Sequence, residues 1–119
     1  MKIVRRDDSS PFVTKDGSII RSILDLSNSS AKNQSLAEAI LQPGGSTEPH
    51  CHPKSEEIYY VLSGNGKMTV GKDTADIAPL TGILIPPGVR HQIRNTGATD
   101  LVFLCCCSPP YQHEDTVIG

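Results

Sequence analysis

From residue 50 onward the chain divides into short β-branched or aromatic runs, each stopped by a cluster of Gly, Pro, Asn or Ser. Runs this short cannot sustain helices, and they restrict the fold to strands joined by tight turns. Ile58-Tyr59-Tyr60-Val61-Leu62 stops at Ser63-Gly64-Asn65-Gly66, and Lys67-Met68-Thr69-Val70 follows, so the pair reads as a hairpin. Asp76-Ile77-Ala78 and Gly82-Ile83-Leu84-Ile85 are two further short strands, the second closed by Pro86-Pro87-Gly88. His91-Gln92-Ile93-Arg94-Asn95 alternates and ends at Thr96-Gly97. Residues 101–107 form a continuous apolar strand that Ser108-Pro109-Pro110 ends. Strands recurring about every ten residues predict an all-β sandwich or small barrel.

The first 35 residues are less explicit. Lys15-Asp16-Gly17-Ser18 reads as a turn. Residues 19–26 read as a strand or a single helical turn, and residues 27–35 as a polar loop. Residues 36–41 (LAEAIL) have helical propensity. They are too few for a helix before Pro43-Gly44-Gly45, so a strand is expected. Residues 111–119 read as an arm across a neighbour or a loose segment. In that tail His113, Glu114 and Asp115 read as solvated, with a lid over the barrel mouth as the alternative. The 119 residues predict one domain, 1–119, with a core at about 36–108, N-terminal strands in 1–35 and a tail at 109–119.

Composition excludes several classes. A net charge of −2 and a pI near 6.0 leave no basic footprint for nucleic acid. With 4% aromatics and no Trp, platforms for base stacking are not expected either. No apolar run approaches the ~18 residues of a membrane span. The opening Met1-Lys2-Ile3-Val4-Arg5-Arg6-Asp7-Asp8 lacks the apolar stretch of a secretory signal. Cys105, Cys106 and Cys107 are consecutive and Cys51 stands apart, which is no disulfide framework. Neighbours on a strand point to opposite faces, so the triplet reads as small soft filling with free thiols in a cytoplasmic setting.

The residues that carry chemistry lie between 50 and 91. His50 and His52 bracket Cys51, and on a strand they project to the same face, with Cα atoms roughly 6.6 Å apart. Two imidazoles placed so can converge on one metal ion. Pro53-Lys54-Ser55-Glu56 can reverse the chain and open the next strand with Glu57 facing back toward the pair. Glu57, Tyr59 and Val61 then share one face. His91, just past Pro86-Pro87-Gly88, can close the site from another hairpin. Each residue alone has an ordinary structural reading, but three of the four histidines fall at these spacings. Imidazole suits Zn, Cu, Fe and Ni, and carboxylate suits harder ions such as Mn, so the set does not name the metal. Four protein ligands leave two positions open on an octahedral ion.

The segment resembles the first cupin motif, G-x5-H-x-H-x3-4-E-x6-G, through Gly44, His50, His52, Glu57 and Gly64. Glu56 fits the shorter spacing, but only Glu57 lies seven residues before Gly64. The second cupin motif, G-x5-P-x-G-x2-H-x3-N, is matched by Pro86, Gly88, His91 and Asn95, with Leu80 in place of the first glycine. The resemblance implies a double-stranded β-helix, or jelly-roll cupin barrel, of the small single-domain "cupin 2 conserved barrel" type. It implies one divalent transition metal ion per chain (Fe, Mn, Ni, Zn, Co or Cu) held by His50, His52, Glu57 and His91. It also implies a homodimer.

Two functions are carried forward. The first is a metalloenzyme, of dioxygenase or isomerase/lyase type, acting on a small oxygen-bearing metabolite, with Tyr59 as a candidate catalytic proton or hydrogen-bond donor. The second is a cupin that binds or senses a small sugar-like ligand without changing it. No inward-facing Arg or Lys stands out, which weighs against phosphosugars. Gln92, Arg94 and Cys51 are expected to face away from the site.

Overall fold

The computed structural model describes residues 1–119. It contains eleven strands: β1 (Phe12–Val13), β2 (Ile19–Leu24), β3 (Ser35–Leu41), β4 (His50–Cys51), β5 (Glu56–Ser63), β6 (Gly66–Val70), β7 (Asp73–Ile77), β8 (Gly82–Ile85), β9 (His91–Asn95), β10 (Leu101–Ser108) and β11 (Val117–Ile118). Two single 3-10 turns, Arg6–Asp8 and His113–Asp115, are the only helical pieces. No helix is long and apolar enough to cross a membrane.

The strands form two antiparallel sheets. One has the order β1-β2-β3-β10-β5-β8 and the other β11-β4-β9-β6-β7. Their inner faces enclose the core: Ala39, Leu41, Tyr59, Val61, Met68, Ile77, Ile85, Ile93, Leu101 and Phe103. Alternation sets this arrangement. In β5 every second residue, Glu57, Tyr59 and Val61, is buried, and the residues between are exposed. Register then brings Val61 beside Phe103, Tyr59 beside Cys105 and Glu57 beside Cys107.

The expected strands are present, with changed bounds. The turn at 15–18 closes with Thr14 N donating to Ser18 O, and residues 19–24 are strand rather than helical turn. β7 begins at Asp73 instead of Asp76. Its first four residues are exposed on a sheet edge, which removes the alternation that marks a strand. The tail is neither loose nor an arm. Residues 117–118 pair with β4 of their own chain, Val117 opposite Cys51 and Ile118 opposite His50. Asp115 accepts hydrogen bonds from the backbone N–H groups of Lys54 and Ser55 and is anchored, whereas His113 and Glu114 are exposed, as expected. β1 and β2 extend the sheet of their own chain.

Two turn positions show how the motif residues act. A Cβ on Gly64 would lie 2.5 Å from the Asp100 carbonyl oxygen, so the hairpin end admits only glycine. Leu80, which replaces the glycine of the second motif, has φ +63° and an exposed side chain. The turn is kept, with a leucine in the left-handed region that costs a branched side chain about 1–2 kcal/mol. Its N–H donates to Val61 O at 2.7 Å, which holds the conformation in place. Leu80→Gly therefore raises stability by about 0.5–1 kcal/mol, after the entropy that glycine adds to the unfolded chain. Denaturant unfolding checks this, and an unchanged or lower midpoint contradicts the strain.

Candidate metal centre

Two neighbouring segments set the three histidines together. Residues 45–47 dock on β9: Thr47 N donates to Ile93 O, Ile93 N to Thr47 Oγ1, and Asn95 N to Gly45 O. This docking brings His50 directly opposite His91. Gly88 N donates to the carbonyl of His52, so the Pro-Pro-Gly turn steadies the second histidine. Asn95 ends the strand, its Nδ2 donating to Leu41 O and Thr99 O while Oδ1 accepts from Gly97 N.

All three imidazoles are buried, and their ring centroids are 4.2 Å (His50–His91), 5.1 Å (His50–His52) and 5.4 Å (His52–His91) apart. One nitrogen from each lies within 4.8 Å of the others, a cluster that could hold a metal ion. Glu57, also buried, reaches this cluster from β5. Its Oε1 is 3.2 Å from His52 Nε2 and 3.5 Å from His91 Nε2. Glu56 is exposed.

The far side of each ring defines what the near side offers. His50 Nδ1 bonds the Glu48 carbonyl at 2.7 Å and His91 Nδ1 bonds the Val89 carbonyl at 3.1 Å. A carbonyl only accepts, so both Nδ1 atoms carry the proton and both Nε2 atoms present lone pairs. His50 Nε2, His91 Nε2 and Glu57 Oε1 have no hydrogen-bond partner although they are buried. Orphaned buried donor atoms are costly. These converge on one point, so the donor set fits a divalent cation. His52 differs, with Nδ1 3.3 Å from Thr116 Oγ1 in the tail.

Burial pushes the His50 imidazole down, and neighbouring His91 pushes it the same way. For His52 burial acts downward too, but Glu57 outweighs it and the net shift is upward. Burial would raise the Glu57 carboxyl, yet the neighbouring His52 imidazole, first among the opposing causes, holds it down at about 2. Burial, with the Glu57 charge second, raises the Tyr59 phenol well above its ordinary value. The Tyr59 ring lies 4.7 Å from Phe103 and 6.0 Å from His91, and it lines a cavity shared with Glu57 and His52. Arg94 is exposed, and Gln92 and Cys51 are half-buried. Gln92 is tied to the Thr47 carbonyl.

Three participants were not evident from the sequence. Asp16 Oδ2 stands 3.3 Å from His50 Nε2. Thr116 meets His52, and the Cys107 thiol donates to Glu57 Oε2 at 3.1 Å. Only the register of β10 against β5 would have revealed Cys107. No local signal marks Asp16 or Thr116, because both depend on pairings between distant segments.

In the metal-free protein, Glu57 has a folded pKa of about 2 against an ordinary 4.5. A depressed carboxyl contributes stability above pH ~4.5 that is lost as pH falls toward ~2, on the order of 3 kcal/mol. Acid unfolding of the wild type should therefore be steeper across that window than acid unfolding of Glu57→Gln, with circular dichroism as the readout. Parallel profiles would contradict the assignment.

Comparison with known proteins agrees with this architecture. A family model described as a cupin domain matches residues 37–107. An uncharacterized protein of Methanocaldococcus jannaschii is 47% identical over 120 residues, covering 99% of this chain and 96% of that protein. Among solved structures, the polyketide cyclase RemF from Streptomyces resistomycificus superposes with a TM-score of 0.79 at 27% identity, covering 91% of this chain and 79% of the cyclase. A predicted oxalate decarboxylase from Thermotoga maritima superposes with a TM-score of 0.80 at 28% identity, covering 91% of this chain and 99% of that one. The match over residues 37–107, with the near full-length relative and the double-stranded β-helix neighbours, establishes that the chain belongs to the cupin family.

Proposed function

We propose that this cupin is a metal-dependent enzyme acting on a small, neutral, oxygen-bearing metabolite, of isomerase/lyase or oxygenase type. The observation that carries the reading is the set of buried, unpartnered lone pairs on His50, His91 and Glu57 beside His52. His50, His52, His91 and Glu57 would hold one divalent ion. Such an ion, when bound, polarises a substrate oxygen or binds dioxygen, depending on its identity. The protein's own part is to fix the imidazoles by their Nδ1 bonds, to exclude water and to place Tyr59. Held protonated by burial, Tyr59 would donate a hydrogen bond or proton toward a ligand in the cavity, and would not act as a base.

The lining favours an uncharged ligand. Asp16, Asp25 and Glu57 face the cavity, and no Lys or Arg does. An oxalate dianion or a sugar phosphate would need cationic partners there. The wall also carries Thr14, Ser18, Ser22 and Ser35. Hydroxyls beside carboxylates suit hydrogen bonding to a polyol, and this supports the second reading, a sugar-like ligand bound without reaction. The run of adjacent thiols supports a cytoplasmic setting.

Metal quantification on protein purified without chelator or added metal tests the first reading. About one ion per chain is expected, with less than a tenth retained by His50→Ala/His91→Ala. Equal content in the variant, or none in the wild type after reconstitution, removes it.

A homodimer belongs to the same proposal. The outer face of β5 and β8 exposes Ile58, Tyr60, Leu62 and Leu84, an apolar stripe that a second copy would cover. Light scattering should give twice the chain mass for the wild type and a single chain mass for Tyr60→Glu/Leu84→Glu. A monomeric wild type contradicts the pairing.

A further inference from the structure

The turn between β1 and β2 lies outside the residues 37–107 that match the cupin family model, yet it delivers a carboxylate to the histidine cluster. Asp16 is mostly buried, with a side chain 14% exposed, and its Oδ2 is 3.3 Å from His50 Nε2. At this distance a hydrogen bond would be expected, but His50 Nε2 has none. The reason lies on the opposite side of the ring, where Nδ1 keeps the proton for the Glu48 carbonyl. Nε2 and Oδ2 are therefore two electron-pair donors facing each other without a hydrogen between them. Such a contact is repulsive unless a cation shares both.

Asp16 is built into this position. Its Oδ1 accepts from Ser18 N at 2.9 Å, from Ser18 Oγ at 2.7 Å and from Thr14 Oγ1. Its carbonyl accepts from Glu48 N at 2.7 Å, and Glu48 is the residue whose own carbonyl orients His50. Three donors thus engage one carboxylate oxygen and leave the other aimed at the histidine. On the opposite flank Glu57 presents Oε1 to His52 and His91.

We propose that Asp16 is a fifth protein ligand of the metal centre, joining His50, His52, His91 and Glu57. The inference rests on the metal-binding reading above. Its consequences concern charge and coordination number. Two carboxylates balance a divalent ion, whereas one leaves the centre at net +1. Five protein donors leave one position of an octahedron for an outside ligand, not two. A second carboxylate also favours harder, six-coordinate ions such as Mn(II) over four-coordinate Zn(II), which three imidazoles and one carboxylate already satisfy.

The test compares metal-free wild type with Asp16→Asn, which keeps an Oδ1 acceptor for Ser18 and Thr14. Each is titrated with Mn(II) and with Zn(II) against a competing chelator. The expected result is a loss of Mn(II) affinity in the variant greater than the ~10–100-fold that removing an outer-shell partner costs, with a smaller loss for Zn(II). Equal losses for both ions would assign Asp16 to positioning His50 and overturn its role as a ligand, as would unchanged affinities. A wild type that binds neither ion removes the metal centre itself along with the role of Asp16. If Asp16→Asn does not fold, the Co(II)-loaded wild type decides. Weak five- or six-coordinate absorption is expected, and an intense tetrahedral spectrum overturns the proposal.

Discussion

Lone pairs buried against lone pairs are the constraint around which this barrel is organised. Three imidazoles and a carboxylate are removed from water, and His50 Nε2, His91 Nε2 and Glu57 Oε1 face inward with no hydrogen-bond partner. Such a cluster is costly by itself, so the surrounding structure must hold it together. The Glu48 and Val89 carbonyls fix two of the rings, Thr47 and Gly45 bind the histidine segment to β9, and the Gly88 N–H secures His52. Each contact is a backbone carbonyl, a backbone N–H or a threonine hydroxyl. The orientation of the site is therefore a property of the strands and not of mobile side chains.

Segments on either side of the family-matched region, 14–18 and 109–118, converge on this cluster. Lys15 Nζ donates to the Thr116 carbonyl at 3.1 Å, which joins the turn that carries Asp16 to the residue that meets His52. Tyr111 sets its ring 6.0 Å from that of His52, and Ser55 Oγ bonds the Pro109 carbonyl. The segment matching the family model supplies the histidines and Glu57. The flanking segments supply the wall and cover around them, which is where relatives with one barrel can differ in ligand.

Much of the centre was legible because its spacing is local. His50, His52 and Glu57 lie within eight residues on a strand, a turn and a strand, and His91 follows a Pro-Pro-Gly stop. Alternation in 56–63 and 91–95 gave the inward faces directly. What remained hidden depends on contacts between distant segments. Nothing in residues 113–118 announces that they will pair beside His50, and an Asp-Gly-Ser turn looks the same wherever its carboxylate ends up. Leu80 hid its role differently, since a leucine does not signal a left-handed turn, yet it adopts one here.

The thiol of Cys107 has a consequence for which elements the centre can retain. Sulfur is the softest donor near the histidines, and a thiolate there would draw copper or zinc strongly. Burial and the Glu57 charge push this thiol up, so at neutral pH it keeps its proton and points that proton at Glu57 Oε2. The same arrangement that steadies the carboxylate silences the sulfur. The barrel thus carries a soft donor within reach of its centre while presenting only nitrogen and oxygen to an incoming ion.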